Sequence, residues 1–299
     1  MADKPTSVAT GAAQRKQAEE LAAFLPPLQV AAQRVAATVA QGVHGRRRVG
    51  QGEAFWQFRR YQTGDTHQRI DWRQSGRSQH LFVRESEWEA AQSVWLWHDN
   101  SPSMHYRSER ELPLKVARAQ VLLIALMALL IDGGEHIALL GEQERPASGR
   151  TALNRLALTV LSEGETSTSL PKRIHLPRHA TVILIGDFLA PLEETDAALR
   201  SYAAMGVRGY VLQVLDPAEV NMPFKGRSRF AGLEAEGDLI VGKAEGLRDA
   251  YLEHLREHES ALETLVQAMG WGFSVHHTDN PPQTALLALY AHLVDFYET

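Results

Sequence analysis

The amino-acid sequence predicts an α/β fold in which helices cover both faces of a mostly parallel sheet. Two observations carry this prediction. Short apolar runs alternate with longer segments of helical periodicity, and the runs are SVWLWHD, HIALLGE, ATVILIGD, VRGYVLQVLD and GFSVHHTD. This alternation is typical of parallel strands joined by helical crossovers. Several runs are also apolar at consecutive positions, as strands buried on both faces are.

Three regions follow one another along the chain. Residues 1–42 form an N-terminal helical segment, in which residues 15–42 have helical character interrupted by Pro26 and Pro27. Residues 43–92 alternate aromatic and polar side chains between turn signals, which predicts a small β-rich module. Residues 93–299 form the α/β domain, with helices expected at 112–131, 151–161, 192–205, 244–269 and 282–297 and a polar hairpin at 224–241.

Composition excludes several classes of protein. The 299 residues include no cysteine, so disulfides and thiolate chemistry are excluded. The N-terminus lacks the apolar core of a signal peptide. The longest strongly apolar run, residues 121–131, is well short of the ~20 residues that span a bilayer. We therefore expect a cytoplasmic protein without membrane insertion.

Short oxygen-bearing side chains follow the first strand of the α/β domain. Asp99, Ser101 and Ser103 form a D-x-S-x-S motif, and Asp187 ends a later strand. The carboxyl ends of parallel strands share one edge of a sheet, where open α/β folds bind ligands. The polar loop GETSTSL can bring Thr166 or Thr168 to the same edge. Such a set of hard oxygen ligands suits Mg²⁺, and also Mn²⁺ or Ca²⁺, rather than zinc.

Other interpretations of these residues stay open. Ser103 can simply cap a following helix. A serine hydrolase is disfavoured because no G-x-S-x-G elbow surrounds the two serines of the motif. A phosphatase-like aspartate nucleophile is not excluded by spacing, although no lysine is evident in the loop near Asp187.

Two motifs in order resemble known families. The D-x-S-x-S-M sequence after an apolar strand, a later threonine loop and an aspartate after a third strand resemble the metal-ion-dependent adhesion site of von Willebrand factor A domains. Upstream, FRRYQTGDTHQRIDWRQSGRSQHLFVRE resembles the signature of domain-of-unknown-function family 58, a bacterial family of uncharacterised proteins.

The resemblance implies a von Willebrand factor A-like (Rossmann-like) domain with a divalent metal site. Its ligands would be Asp99, Ser101, Ser103 and Asp187, with Thr166 as the middle ligand and Thr168 as the alternative. Genes of this family often lie beside those of MoxR-type AAA+ ATPases, which makes such an ATPase the expected partner, with one of its acidic residues at the metal.

A basic and aromatic segment precedes the metal motif. Residues 45–84 contain nine arginines and three acids, which gives +6 in a chain whose net charge is -5. The resemblance assigns Arg69 an ion pair with Asp65 or Asp71 and makes Trp72 a packing anchor. Residues 222–243 are candidates to pack on this module. Exposed arginines beside aromatic residues can instead bind single-stranded nucleic acid, and those expected at the surface are Arg46, Arg47 and Arg48.

We therefore expect a non-enzymatic, metal-dependent protein-binding adaptor. One alternative is a Mg²⁺-dependent phosphoester hydrolase, because a metal at a strand-end edge can also activate water. The other is a nucleic-acid-binding protein that uses residues 45–84, although we expect nucleic acid to be an unlikely partner because alternating aromatic residues more often form a small core.

Overall fold

The structure is a computed structural model that describes residues 55–60, 75–76, 82–86, 93–142, 145–166, 168–233 and 237–298. The helical segment 1–42 and the seven basic-module residues singled out above lie outside the described residues; those seven are Arg46, Arg47, Arg48, Asp65, Arg69, Asp71 and Trp72. Within residues 43–92, two described segments pair as antiparallel strands, β1 (Phe55–Arg60) and β2 (Phe82–Ser86).

The remaining described elements follow one another in chain order. The strands are β3 (Ser93–His98), β4 (His136–Leu139), β5 (Thr181–Gly186), β6 (Arg208–Leu215), β7 (Ser228–Ala231), β8 (Asp238–Val241) and β9 (Gly272–His277). The helices are α1 (Lys115–Asp132), α2 (Arg150–Ser162), α3 (Leu192–Ala203), α4 (Pro217–Asn221), α5 (Arg248–Ala268) and α6 (Pro282–Glu298). These bounds lie within a few residues of those expected from apolar periodicity.

The central sheet has five parallel strands in the order β4-β3-β5-β6-β9. An isolated antiparallel bridge between Ile137 and Ala147 adds to the β4 edge. The strand order reverses between β3 and β5, which is the switch point where doubly wound folds bind ligands. The predicted hairpin is the separate antiparallel pair of β7 and β8.

Helices cover both faces of this sheet. One apolar core contains Leu96 and Ile183 of the sheet together with residues of α1, α2 and α6. The other contains Trp95 and Val182, whose side chains point to the opposite face, together with residues of α3 and α5. The predicted fold class is thereby confirmed as a Rossmann-like α/β domain with a mostly parallel sheet between two helical layers.

One close approach in the second core depends on glycine. The indole of Trp271 lies directly against the backbone of Gly209 in β6, and a Cβ atom at that position would be 2.1 Å from the ring. The indole nitrogen also donates to the carbonyl oxygen of Val207 (3.1 Å). Only glycine leaves room for a tryptophan at this point. No helix in the described part of the chain is long and apolar enough to cross a membrane.

Candidate metal centre

The D-x-S-x-S loop is fixed to the carboxyl edge of the sheet by backbone and side-chain hydrogen bonds. The amide of Asp99 donates to the carbonyl oxygen of Ile185 (2.8 Å), which continues the pairing of β3 with β5 by one residue. Oδ1 of Asp99 accepts from the amide of Ser101 (2.8 Å). Gly186 permits this approach, since a Cβ there would lie 2.9 Å from Cβ of Asp99. Asp99 and Ser101 are fully buried.

The hydroxyls of the loop connect it to Asp187, the predicted ligand that follows β5. Oγ of Ser101 and Oγ of Ser103 lie 3.1 Å apart. Oγ of Ser103 donates to Oδ2 of Asp187, at 2.6 Å and across 84 positions of sequence. The structure thus brings four of the five predicted ligands together at the switch point of the sheet. Ser103 is only partly buried, so solvent reaches the cluster from its side.

The fifth predicted ligand, Thr166, lies in a loop held beside the motif. Its amide donates to the carbonyl oxygen of Asn100 (2.9 Å), while its hydroxyl donates to the carbonyl oxygen of Thr168 (3.1 Å). Asn100 also donates through Nδ2 to the carbonyl oxygens of Glu163 (3.1 Å) and Gly164 (2.9 Å). The loop is therefore placed at the right edge, but the hydroxyl of Thr166 would have to turn away from Thr168 to reach a metal.

A buried lysine, which the sequence did not single out, contacts Asp187. Lys115, the first residue of α1, donates from Nζ to Oδ2 of Asp187 (3.0 Å) and to Oε1 of Glu219 (2.7 Å), and it is fully buried. The loop near Asp187 supplies no lysine, as its sequence indicates, but Lys115 reaches this carboxylate from 72 positions earlier in the chain. Burial alone would lower the pKa of Lys115, but the two carboxylates raise it above its ordinary value, so the ammonium stays charged.

Glu219 connects the lysine to the neighbouring strand end. Asp216 follows β6 and caps α4, accepting from Ala218 at Oδ1 (2.8 Å) and from the amide of Ser108 at Oδ2 (3.0 Å). Its own amide donates to Oε2 of Glu219 (2.7 Å), completing a capping box. Burial raises the pKa of Glu219, against the opposing effect of Lys115. Asp216, another strand-end acid in the sequence, thus serves as a helix cap.

The side chains present fit a divalent ion held by hard oxygens. Asp99, Asp187 and the two serine hydroxyls supply oxygen donors and no nitrogen or sulfur, as Mg²⁺ prefers. Within the described ranges, no three His, Cys, Asp or Glu side chains are grouped to hold a metal. An ion at this edge would therefore rely on hydroxyls, and on ligands from outside the chain, for much of its coordination.

Formal charge at the cluster also suits a divalent cation. The cluster contains three carboxylates, those of Asp99, Asp187 and Glu219, and one ammonium, that of Lys115, which pairs with the last two; the formal net charge is two negative units. Buried charge of one sign is costly unless it is neutralised. The cluster therefore favours a cation of charge two at its solvent side.

Comparison with known families gives one match that spans most of the chain. The model of the family described as protein of unknown function DUF58 matches residues 57–261, which include every residue of the cluster. Uncharacterized proteins of Mycobacterium bovis and Mycobacterium tuberculosis are each 27% identical to this chain over 270 residues. These alignments cover 84% of this chain and 83% of each relative.

Two solved structures are also similar. The conserved hypothetical protein BatB from Bacteroides thetaiotaomicron is 14% identical, with a TM-score of 0.41; the match covers 69% of this chain and 99% of that one. An aerotolerance-related membrane protein from Bacteroides fragilis is 16% identical, with a TM-score of 0.35; the match covers 67% of this chain and 96% of that one.

Proposed function

The chain belongs to the DUF58 family of proteins of unknown function, and from the geometry of the strand-end cluster we propose that it is a non-enzymatic, metal-dependent protein-binding adaptor. The continuous series of hydrogen bonds from Asp99 through Ser101 and Ser103 to Asp187 is the observation that carries this proposal. These four residues would hold the ion, and Thr166 would approach it from the neighbouring loop. When bound, Mg²⁺ supplies a Lewis acid with coordination positions open to an external oxygen.

The pattern of burial supports docking at this site. Asp99, Ser101 and Asp187 are buried, whereas Ser103 and Thr166 are partly exposed. A partner therefore reaches the cluster from the side of the two hydroxyl-bearing loops. Because the cluster contains few charged ligands, a carboxylate on the partner is the group that best completes the coordination of a divalent ion.

Neither histidine that flanks the described motif is placed to act as a general base for hydrolysis. Burial lowers the pKa of His98 to about 4, and its Nδ1 lies 3.8 Å from Glu163 rather than toward the motif. Nε2 of His105 is hydrogen-bonded to Oδ1 of Asn100 (3.0 Å). Asp99 is wholly shielded from solvent, so it is poorly placed to attack a phosphoester. These observations support the non-enzymatic proposal over the hydrolase alternative.

The proposed partner is a MoxR-type AAA+ ATPase. This assignment rests on two arguments. Genes of the family that the sequence resembles often lie beside those of MoxR-type AAA+ ATPases, and the proposed ion needs a carboxylate from outside the chain. In this arrangement the present chain recruits or adapts substrates, and the ATPase supplies mechanical work.

The experiment is a binding titration of the full chain against the MoxR-type ATPase, in Mg²⁺ and in EDTA. Loss of a buried charged contact costs about 2–5 kcal/mol, so affinity should fall about thirtyfold or more in EDTA. The double variant Ser101→Ala/Ser103→Ala should reproduce that loss. Ser201→Ala, near the end of α3 at the opposite edge of the sheet, is the matched control and should bind as the parent does.

A calorimetric Mg²⁺ titration tests whether Asp99 coordinates the metal. Asp99→Asn keeps the shape of the side chain and its acceptor for the Ser101 amide but removes the charge, so it should abolish binding of Mg²⁺ while the fold survives. Equal affinity for the ATPase in Mg²⁺ and EDTA would refute the adaptor mechanism. Phosphoester turnover that needs Mg²⁺ and is lost in Asp99→Asn would replace it with the hydrolase alternative.

A further inference from the structure

The ammonium of Lys115 occupies a position where a lysine is expensive. It is fully buried, and it lies at the first residue of α1, where the helix dipole disfavours a cation. Two carboxylates hold it, Asp187 at 3.0 Å and Glu219 at 2.7 Å. An apolar side chain of similar volume often replaces such buried pairs at no loss of stability. The pairing therefore calls for a role beyond holding the fold together.

Lys115 binds the same carboxylate oxygen of Asp187 that accepts from Ser103. Oδ2 of Asp187 accepts from both Nζ of Lys115 and Oγ of Ser103, whereas the contact of Oδ1 among the described residues is a long one from the amide of Leu189 (3.4 Å). A cation coordinated by Asp187 and Ser103 would stand close to the ammonium and be repelled by it. Metal and ammonium thus compete for the charge of one carboxylate.

We propose that Lys115 is an internal counter-ion that competes with the divalent metal for Asp187 and sets the affinity of the site. This inference rests on the metal site of the proposed function. Lys115 neutralises Asp187 when the metal is absent. When the metal binds, Lys115 is retained by Glu219.

Glu219 is built to retain the ammonium. Its second carboxylate oxygen, Oε2, accepts from the amide of Asp216, and Asp216 in turn accepts from the amide of Ser108. The amide of Lys115 donates to the carbonyl oxygen of Tyr106 (3.1 Å). Glu219 is therefore held in place without help from Asp187, and Lys115 can release one carboxylate while it keeps the other.

Two substitutions separate competition from a purely structural role, because they should change metal affinity in opposite directions. Lys115→Met removes the competing charge and makes the cluster one unit more negative, so Mg²⁺ should bind at least about tenfold more tightly. Glu219→Gln leaves the ammonium to Asp187 alone and makes the cluster one unit less negative, so Mg²⁺ should bind at least about tenfold more weakly. If Lys115 and Glu219 have only a structural role, both variants should bind Mg²⁺ more weakly than the parent.

The measurement is isothermal titration calorimetry with Mg²⁺ alone, on the full chain, with circular dichroism as the check on folding. Lys172→Met removes a positive charge from an exposed position and is the matched control, for which the affinity should stay within about twofold. If Lys115→Met folds poorly, Lys115→Met/Glu219→Gln restores the net charge without the ammonium and should bind Mg²⁺ at least as tightly as the parent.

The outcomes distinguish this inference from the proposed function. Unchanged or weaker Mg²⁺ binding in folded Lys115→Met would overturn the competition by Lys115. Binding by Lys115→Met but not by the parent would support the competition and defeat the adaptor mechanism of the native chain. If neither the parent nor folded Lys115→Met and Lys115→Met/Glu219→Gln bind Mg²⁺, the metal site itself is overturned. If Lys115→Met binds Mg²⁺ more tightly but the chain binds the ATPase equally well in Mg²⁺ and in EDTA, the competition by Lys115 stands and only the adaptor mechanism is refuted.

Discussion

Substitution of Lys115 by methionine should destabilise the metal-free domain by an amount that the geometry bounds. The change keeps the aliphatic stem but leaves Asp187, which is 1% exposed, and Glu219, which is 18% exposed, without their ammonium. Removal of one partner from a buried ion pair costs about 3–5 kcal/mol. Glu219 keeps the amide of Asp216 as a donor and some contact with water, so we expect about 3 kcal/mol.

The double variant shows how much of the loss in free energy of unfolding comes from buried carboxylates left without a positive partner. Lys115→Met/Glu219→Gln removes one of the stranded carboxylates and should recover at least about 1 kcal/mol relative to Lys115→Met, as a double-mutant cycle between contacting residues requires. The exposed pair of Arg200 and Asp196 supplies the control, because Asp196→Asn in such a setting should cost less than about 1 kcal/mol.

The assay is urea unfolding of the full chain in EDTA, followed by far-ultraviolet circular dichroism. A natural domain is stable by about 5–15 kcal/mol, so a loss of about 3 kcal/mol leaves Lys115→Met folded and measurable. A loss below about 1 kcal/mol, equal to that of Asp196→Asn, would refute the conclusion that the ammonium neutralises buried carboxylates in the metal-free state.

Two further predictions concern pH and packing. Burial lowers the pKa of His98 and His276 to about 4, helped at His276 by Arg118 and His277, so unfolding takes up protons and the free energy of unfolding should fall by about 2 kcal/mol from pH 6 to pH 5. The carboxylate of Glu163 beside His98 lessens this loss, and replacing both buried histidines by glutamine should remove the pH dependence, whereas His254→Gln at an exposed site should leave it unchanged. A free energy of unfolding that is the same at pH 6 and pH 5 in the parent would contradict this prediction. Gly209→Ala should lower the free energy of unfolding in urea by about 2–3 kcal/mol, because the added Cβ meets the indole of Trp271. Gly242→Ala, where the added Cβ meets open space, should change it by less than about 0.5 kcal/mol. Equal effects of the two substitutions would contradict the packing of Trp271 against Gly209.

Apolar patterning predicted most of the α/β fold because the strands are buried on both faces. All six residues of β5 are buried, and the run that forms it, TVILIG, has no polar interruption after its first residue. Helix bounds followed from the spacing of apolar residues; the run expected at 112–131 forms α1 from Lys115 to Asp132. What periodicity could not provide was the short 3-10 turn, Ala244–Gly246, that precedes α5, because a single turn has too few residues to show a period.

That Asp99, Ser101, Ser103 and Asp187 lie together was predictable because each follows a strand, and strand ends share an edge. Lys115 was not, because a lysine at the start of an apolar helix usually lies in solvent, and its two partners lie 72 and 104 positions away. Asn100 was missed for a similar reason: its bonds reach the carbonyl oxygens of Glu163 and Gly164, which carry no side-chain signal. A lysine shortly after a D-x-S-x-S loop, facing several strand-end acids, is the pattern that could have indicated it.

The internal ammonium bears on what kind of metal site this is. A structural metal site is coupled to folding, because the site does not exist in the unfolded chain and the free energy of metal binding contributes to folding. At this edge Lys115 already neutralises part of the charge of Asp187 and Glu219, and hydrogen bonds already position Asp99 and Ser103. We therefore expect the domain to fold without the proposed metal. A metal that is dispensable for folding but coordinated at a partly open edge is free to bind reversibly, which is the property that metal-dependent docking requires.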